Sequence, residues 1–172
     1  MTTHFISQTE ITLDKYLYWA NHPIGKNARK KLRTHNIICV FGIIFSLIGG
    51  IFCLKNGAFD FGIIYLAFFA AFVWKALFQR TRANKKLYVD TIKAQGGAGW
   101  IRSITFAGNI QVADNNSVTT FKYSDFKKVT ESDRYYLLYR DENLVLRVEK
   151  GSFITGDEAA FMSFITKRIK NK

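Results

Sequence analysis

An uncharged apolar run at residues 37–54 constrains this chain more than any other feature of its sequence. A helix crosses the hydrocarbon core of a bilayer with about 20 apolar residues, and this run is close to that length. A cleaved signal peptide would place its apolar core nearer the start of the chain and follow it with a small-residue cleavage site. The run therefore predicts a membrane-spanning helix at residues 37–54.

A second apolar segment, at residues 58–78, carries Asp60 near its start and Lys75 near its end. Its uncharged centre at 61–74 is too short to span a bilayer alone, so a buried or interfacial helix is the competing interpretation. Terminal charged side chains can reach the interfaces, and Trp74 is typical of an interfacial aromatic residue. We expect a second span at 58–78, with Lys75 extending to the interface rather than forming an intramembrane site.

Basic residues flank both apolar segments. The chain has 25 Lys and Arg residues against 13 Asp and Glu residues, for a net charge of +12. Their positions favour an anionic membrane surface over nucleic acid as the reason for this charge. The positive-inside rule then predicts that residues 55–57 lie outside and that both termini lie in the cytoplasm. The predicted membrane-proximal basic residues are Arg29, Lys30, Lys31, Arg33, Arg80, Arg82, Lys85 and Lys86.

Small residues recur at helical spacing along both predicted spans. Gly42, Ser46 and Gly50 are four residues apart on the first span, and Ala67 and Ala71 offer a similar face on the second. Small faces let helix backbones approach closely in lipid. These five residues are predicted helix-packing positions, either within a two-helix hairpin or in a homo-oligomer.

The segments outside the apolar runs predict a mixture of strands and helices. Residues 4–11 are strand-like, and Thr12 can cap a following short helix. Residues 79–95 are polar and permit a helix, and the glycine-rich residues 96–99 indicate a linker rather than a phosphate-binding loop. The N-terminal strand lies on the same predicted side as the C-terminal part, so we expect it to join the sheet there.

From residue 100 onward, short strands separated by turns predict a small barrel or curled sheet. An amphipathic helix follows, with a capping box at residues 155–158 and an apolar face formed by Phe161, Phe164, Ile165 and Ile169. The predicted fold class is an α+β membrane protein with a two-helix transmembrane hairpin and a small antiparallel β domain closed by a C-terminal helix. The predicted divisions are 1–36, 37–78, 79–99 and 100–172.

The C-terminal half resembles the YcxB-like family of bacterial membrane proteins. The resemblance lies in residues 123–131 (Tyr-Ser-Asp-Phe-Lys-Lys-Val-Thr-Glu), 135–139, 144–148, 150–153 and 161–165, and in the order of strand, helix, hairpin and C-terminal domain. It implies a bacterial inner-membrane location and a pleckstrin-homology-like β domain. It implies no catalytic or binding residues.

Residues that could carry chemistry are scarce. His4, His22 and His35 all precede the first span and match no metal-binding or catalytic pattern. We expect no enzymatic activity, no metal and no cofactor. The expected function is an interaction or regulatory module at the cytoplasmic face of the inner membrane, and the alternative is an accessory subunit that packs through its hairpin. The expected partners are the bilayer with anionic lipid headgroups, a membrane protein or a second copy, and not nucleic acid.

Overall fold

The chain folds as two compact units in a computed structural model that describes residues 4–97 and 99–170. The β unit consists of Met1–Asn27 together with Tyr88–Lys172, and the helical unit is Ala28–Leu87. The helical unit is therefore inserted in the sequence between two segments that fold together.

Helices dominate the first half of the chain. A strand and a short helix precede two long helical segments, which a turn at residues 56–58 connects. The second segment passes through a five-residue π-helical turn, Lys75–Gln79, and continues as one helix of 36 residues. The elements are β1 (Phe5–Glu10), α1 (Leu13–Asn21), α2 (Lys26–Lys55), α3 (Phe59–Trp74) and α4 (Arg80–Ala94).

Short strands and a final helix form the second half. A 3-10 turn at Tyr123–Asp125 separates the first group of strands from the second. The elements are β2 (Ile101–Phe106), β3 (Ile110–Asp114), β4 (Ser117–Phe121), β5 (Lys128–Glu131), β6 (Tyr135–Tyr139), β7 (Val145–Glu149), β8 (Phe153–Thr155) and α5 (Glu158–Lys170).

The strands form two antiparallel sheets. One has five strands in the order β4-β3-β2-β1-β8, and the other has three in the order β5-β6-β7. β1 pairs with β2 from Phe5↔Phe106 to Glu10↔Ile101 and pairs with β8 on its other side. The expectation that the N-terminal strand joins the C-terminal sheet is confirmed, and β1 is an interior strand of that sheet.

Alternation along β1 directs its inward side chains into the core of the β unit. Phe5 and Ser7 are buried, and the Ser7 hydroxyl lies 2.6 Å from the hydroxyl of Ser152, which connects β1 to the segment before β8. α1 begins where the Thr12 side chain accepts a hydrogen bond from the Lys15 backbone N–H, as the sequence predicted.

α5 packs its apolar face on this core. Phe161 and Ile165 are fully buried, Ile169 is buried and Phe164 is partly buried, as predicted. The predicted capping box is wrong, because Thr155 is the last residue of β8. The Asp157 carboxylate instead accepts a hydrogen bond from the Ala159 N–H at 3.0 Å and caps α5.

The helical unit differs from a soluble helical domain in its surface. Both long helices contain stretches that are long and apolar enough to cross a membrane. Only 17% of the most apolar 18 residues of α2 are buried, and 6% of those in the second helix. A helix in the core of a soluble protein would be mostly buried, so these two present their apolar side chains to their surroundings.

Candidate functional site

The β unit contains a polar cleft. It has a volume of about 600 Å³ and lies between α1 and the ends of β6 and β7. Its side chains carry charges of both signs and two phenol rings. The lining residues are Asp14, Lys15, Tyr18, Asp133, Arg134, Tyr135, Glu149 and Lys150.

Contacts between α1 and the three-stranded sheet define one wall of this cleft. The Lys15 ammonium lies 2.8 Å from a Glu149 carboxylate oxygen. The indole N–H of Trp19 donates a hydrogen bond of 3.1 Å to the Tyr135 hydroxyl. These contacts hold the N-terminal helix against β6 and β7, so the cleft depends on segments that are far apart in the chain.

Charged groups in the cleft remain available to a ligand. The Arg134 guanidinium lies 5.6 Å from the centre of the Tyr18 ring, which is a cation–π distance. Asp14 and Asp133 form no ion pair with the residues that the structure describes. A ligand with both a cationic and an anionic group could therefore contact groups of opposite charge here.

The most perturbed titratable group near the cleft has a structural role. Burial and the nearby Glu158 carboxylate raise the pKa of Tyr136 to about 12. Its hydroxyl donates a hydrogen bond of 3.2 Å to Glu158, which also accepts one from the Gly151 N–H at 2.8 Å. Tyr136 therefore stays neutral and ties β6 to the start of α5 rather than acting as a base.

Arg147 fixes the end of α1. Its guanidinium donates a hydrogen bond of 2.9 Å to the His22 carbonyl oxygen and lies 5.4 Å from the centre of the Trp19 ring. Burial lowers the pKa of Arg147 below its ordinary value, but an arginine remains charged at neutral pH. This contact terminates α1 next to the sheet.

A second polar cluster joins the first strands of the five-stranded sheet. Arg102 donates two hydrogen bonds to Asp114, at 2.7 and 2.8 Å, and the Trp100 indole N–H donates a third at 2.9 Å. Burial alone would raise the pKa of Asp114, but the hydrogen bonds from Arg102 and Trp100 and the charge of Arg102 outweigh it. They hold that pKa below its ordinary value.

This lowered pKa makes stability depend on pH in a defined direction. Asp114 ionises more readily in the folded state than in the unfolded state. Its ionised carboxylate therefore stabilises the folded state fully above the ordinary pKa of 3.8, and this stabilisation is lost as the pH falls through the lower pKa of the folded state. We expect Asp114→Asn to destabilise the full-length protein at pH 7, with the difference from the parent closing below about pH 4. Urea unfolding at several pH values measures this. Asp90→Asn, at an exposed position, is the control. A stability difference between Asp114→Asn and the parent that stays constant down to pH 2.5 would contradict the prediction.

The described residues contain no group of three or more His, Cys, Asp or Glu side chains that could hold a metal ion. His22 lies at the end of α1, with its Nδ1 atom 3.0 Å from the Tyr18 carbonyl oxygen. His35 lies in α2, with its Nε2 atom 3.7 Å from the sulfur of Cys39. The histidines are thus dispersed, and the cleft offers charged groups and tyrosine rings.

The hairpin contact combines small residues on α2 with aromatic residues on α3. Gly42 and Ser46 are buried, and a Cβ atom at position 42 would lie 2.5 Å from the Phe72 ring. A Cβ atom at Gly49 would lie equally close to the Tyr65 ring. These glycines therefore let the rings of α3 approach the α2 backbone.

Within the hairpin, the structure differs from the sequence interpretation on the second helix, whereas the alternative role of Ala67 and Ala71 in a homo-oligomer stays a prediction. Ala67 and Ala71 are exposed, and the small face of α2, which includes Gly50, contacts Tyr65 and Phe72 instead. Ring-bearing residues at the spacing 65, 69 and 72 follow Gly62, which is the heptad-like pattern of a packing face. This spacing of aromatic residues was the feature of the sequence that indicated the packing face, and the sequence analysis chose the alanines instead.

An apolar groove runs along the hairpin between α2 and α3. Ser46, Gly50 and Leu54 line it on α2, and Leu66 lines it on α3. Its volume is about 210 Å³. The groove lies within the helical unit.

The predicted basic residues lie at the ends of the helical unit remote from the turn. Arg33 is 22 residues before the end of α2 and Arg80 is 21 residues after the start of α3, so both lie about 32 Å along the helices from the turn. This matches the roughly 30 Å of a hydrocarbon core. The Arg82 guanidinium lies 4.4 Å from the centre of the Trp74 ring. The remaining members Arg29, Lys30, Lys31, Lys85 and Lys86 are exposed.

The cleft escaped the sequence analysis because three distant segments build it. Residues 14–18, 133–135 and 149–150 are each ordinary turn or helix residues in the sequence. The pairing of β6 with β7 places residues 133–135 beside residues 149–150, and the pairing of β1 with β8 brings the segment that begins α1 to them. Charged residues occur in all three segments, and tyrosines accompany them in 14–18 and 133–135, which was the available signal.

Comparison with known proteins identifies one part of the chain. Residues 107–165 match the family described as YcxB-like protein, which confirms the resemblance over β3 to the first turns of α5. The match leaves out β1, β2 and the helical unit. No curated protein and no solved structure matches the chain.

Proposed function

We propose that this protein is a membrane-anchored, non-enzymatic interaction or regulatory module at the cytoplasmic face of a bacterial inner membrane. The observation that carries the proposal is the arrangement of the chain. A helical unit with an apolar exposed surface is inserted between the two segments of one β unit. The β unit then displays its polar cleft to partners while the hairpin holds it at the membrane.

The exposed surface of the hairpin supports the anchoring role. Phe41 and Phe52 on α2 are 71% and 68% exposed, and Ile63 and Leu66 on α3 are 65% and 66% exposed. Soluble monomeric proteins rarely expose contiguous apolar patches larger than a few hundred Å². Apolar side chains on all outward faces of the hairpin are compatible with the hydrocarbon core of a bilayer.

The pairing of β1 with β2 supports an even number of membrane crossings. The helical unit lies between these two strands in the sequence, yet the strands form one sheet. A single crossing would put them on opposite sides of the bilayer. Two crossings place both chain ends on one side, and the basic residues near the remote ends of the hairpin favour the cytoplasmic side.

The architecture of the β unit supports the pleckstrin-homology-like assignment. It has two antiparallel sheets of five and three strands, and α5 buries its apolar face on the core between them. The cleft lies at the edge of the three-stranded sheet and would be the binding site of the module. The basic residues near the membrane would add roughly 1 kcal/mol each towards an anionic surface.

Single-cysteine labelling of the full-length protein tests the anchor and its orientation. In a Cys39→Ala, Cys53→Ala background, Asn56→Cys in the turn should react with an impermeant maleimide on intact spheroplasts. The matched Lys167→Cys in α5 should react only after the membrane is permeabilised. Labelling of Lys167→Cys in intact spheroplasts, or protection of Asn56→Cys, would contradict the proposed orientation.

The second candidate function is an accessory subunit that packs through its hairpin, and the apolar groove favours it. A photo-crosslinking amino acid at Asp133 reports on the cleft, and one at Ile51 reports on the groove. Protein adducts at Asp133 support the interaction module. Adducts at Ile51 without any at Asp133 would support the accessory subunit instead.

A further inference from the structure

Strand β4 is an edge strand whose outer side is open. It ends the five-stranded sheet and pairs on one side with β3, from Asp114↔Ser117 to Ile110↔Phe121. Its residues 117–120 are all exposed, and the Val118 side chain is 68% exposed. An edge of this kind is a template for another strand unless charge, proline or a bulge blocks it.

β4 lacks these protections, whereas the other three edge strands have them or are very short. β8 has only three residues. β5 contains Lys128 and Glu131, and β7 contains Arg147 and Glu149. The sequence of β4, Ser-Val-Thr-Thr-Phe, has no charge and no proline, and its valine, threonines and phenylalanine favour strand pairing.

The lack of charge also limits the choice of partner. The chain has a net charge of +12, so two copies repel each other over most of their surface. On the outer face of the sheet, the two rows of side chains that lead to the open edge are uncharged. They include Val118 and Thr120 of β4, Gln111 and Ala113 of β3, and Ser103 of β2. This is a surface of the chain where a second copy can approach without like-charge contact.

We propose that β4 pairs antiparallel with β4 of a second copy, with Thr119 opposite Thr119 across a two-fold axis. Asp114 and Ser117 close a two-residue turn, so Ser117, Thr119 and Phe121 direct their backbone groups to β3. The N–H and C=O groups of Val118 and Thr120 then face the open edge. In this register Val118 lies opposite Thr120 of the second copy, and four backbone hydrogen bonds satisfy all of these groups.

The pairing rests on the proposed anchor for its strength. Two five-residue strands bury well under the roughly 1,200 Å² of a standard interface in solution. Confinement to one membrane raises the effective concentration of the second strand, as a tether does. The result is one continuous sheet of ten strands shared by two anchored chains, an isologous contact that closes on itself.

Disulfide cross-linking of the full-length protein in membranes tests the register. In the Cys39→Ala, Cys53→Ala background, Thr119→Cys should form a disulfide dimer on oxidation, because residues opposite each other at the axis have Cα atoms about 4.5 Å apart. Gln111→Cys on the neighbouring strand is the control, with a dimer yield at least tenfold lower. Equal yields, or an adduct of Thr119→Cys with another protein, would overturn the proposal.

A charge exchange distinguishes this register from any general disturbance of β4. Adding Val118→Lys and Thr120→Lys to the Thr119→Cys protein should reduce the dimer yield about three- to tenfold, because like charges then face each other in two symmetric pairs. Adding Val118→Lys and Thr120→Glu should retain the dimer. An equal loss in both double variants would overturn the register.

Membrane sedimentation of the same samples separates the two proposals. The cross-linking yield is read in whichever fraction holds the protein. Loss of the protein from the membrane fraction contradicts the anchor, whereas a membrane-bound protein that fails to cross-link at Thr119→Cys contradicts only the strand pairing.

Discussion

Replacing Phe161 by Ala is expected to lower the free energy of unfolding of the β unit by about 3–5 kcal/mol. Phe161 is fully buried on α5, and its ring centre lies 4.9 Å from that of Phe106 on β2 and 5.1 Å from that of Tyr136 on β6. It also lies 5.5 Å from Phe5 on β1. The substitution leaves a cavity among rings from both sheets, and rigid strands cannot collapse around it.

Urea unfolding of the purified full-length protein, followed by tryptophan fluorescence, measures this loss. Trp19 and Trp100 lie in the β unit and report its unfolding. Lys167→Ala, at an exposed position of the same helix, should change the free energy of unfolding by no more than about 0.5 kcal/mol. A loss below 1 kcal/mol for Phe161→Ala would contradict the central role of this ring.

The segment from residue 99 to 172 is expected not to fold alone, although it contains the whole match to the YcxB-like family. Without β1, the five-stranded sheet loses one of its interior strands, β2 loses one of its two partners, and β8 loses the strand with which it pairs. The buried Phe106 and Phe161 also lose contact with Phe5. A fusion of residues 4–27 to residues 88–172 through a flexible glycine-serine linker should fold as a soluble domain, because it restores every strand pair.

Comparison of the two proteins by proton NMR and limited proteolysis decides this prediction. The fusion should give dispersed amide signals and resist protease, while the 99–172 fragment should give neither. A third protein, the fusion with Phe5→Asp, keeps the length and the linker but places a charge in the core, and it should behave like the fragment. A folded 99–172 fragment would show that β1 is dispensable.

The sequence located the elements whose signals are local. The charge-free run at 37–54 and the basic residues around it define the helices of the hairpin without tertiary information. Strand β8 was missed because its three residues follow Gly151 and Ser152 and pair with a strand about 145 positions away. The capping box failed for the same reason, since the pairing of Thr155 with Ile6 removes it from the helix start.

The candidate site was less accessible to sequence reasoning than the fold. Lys15 and Glu149 have no relation in the sequence, and their ion pair forms because β1, which precedes α1, pairs with β8, which follows β7. The aromatic packing face of α3 was readable, since Tyr65, Phe69 and Phe72 have helical spacing. Ala67 and Ala71, the positions chosen from the sequence, are exposed in the structure.

The interior position of β1 orders the events of biosynthesis. β1 leaves the ribosome first, but its second neighbour, β8, follows only after residue 152 has been made. At about 5–20 residues per second, this interval lasts roughly 7–30 seconds. The hairpin is synthesised within it, so the proposed insertion into the membrane precedes completion of the sheet. A ribosome that stops before β8 would leave the proposed anchor inserted while β1 lacks one of its two partner strands.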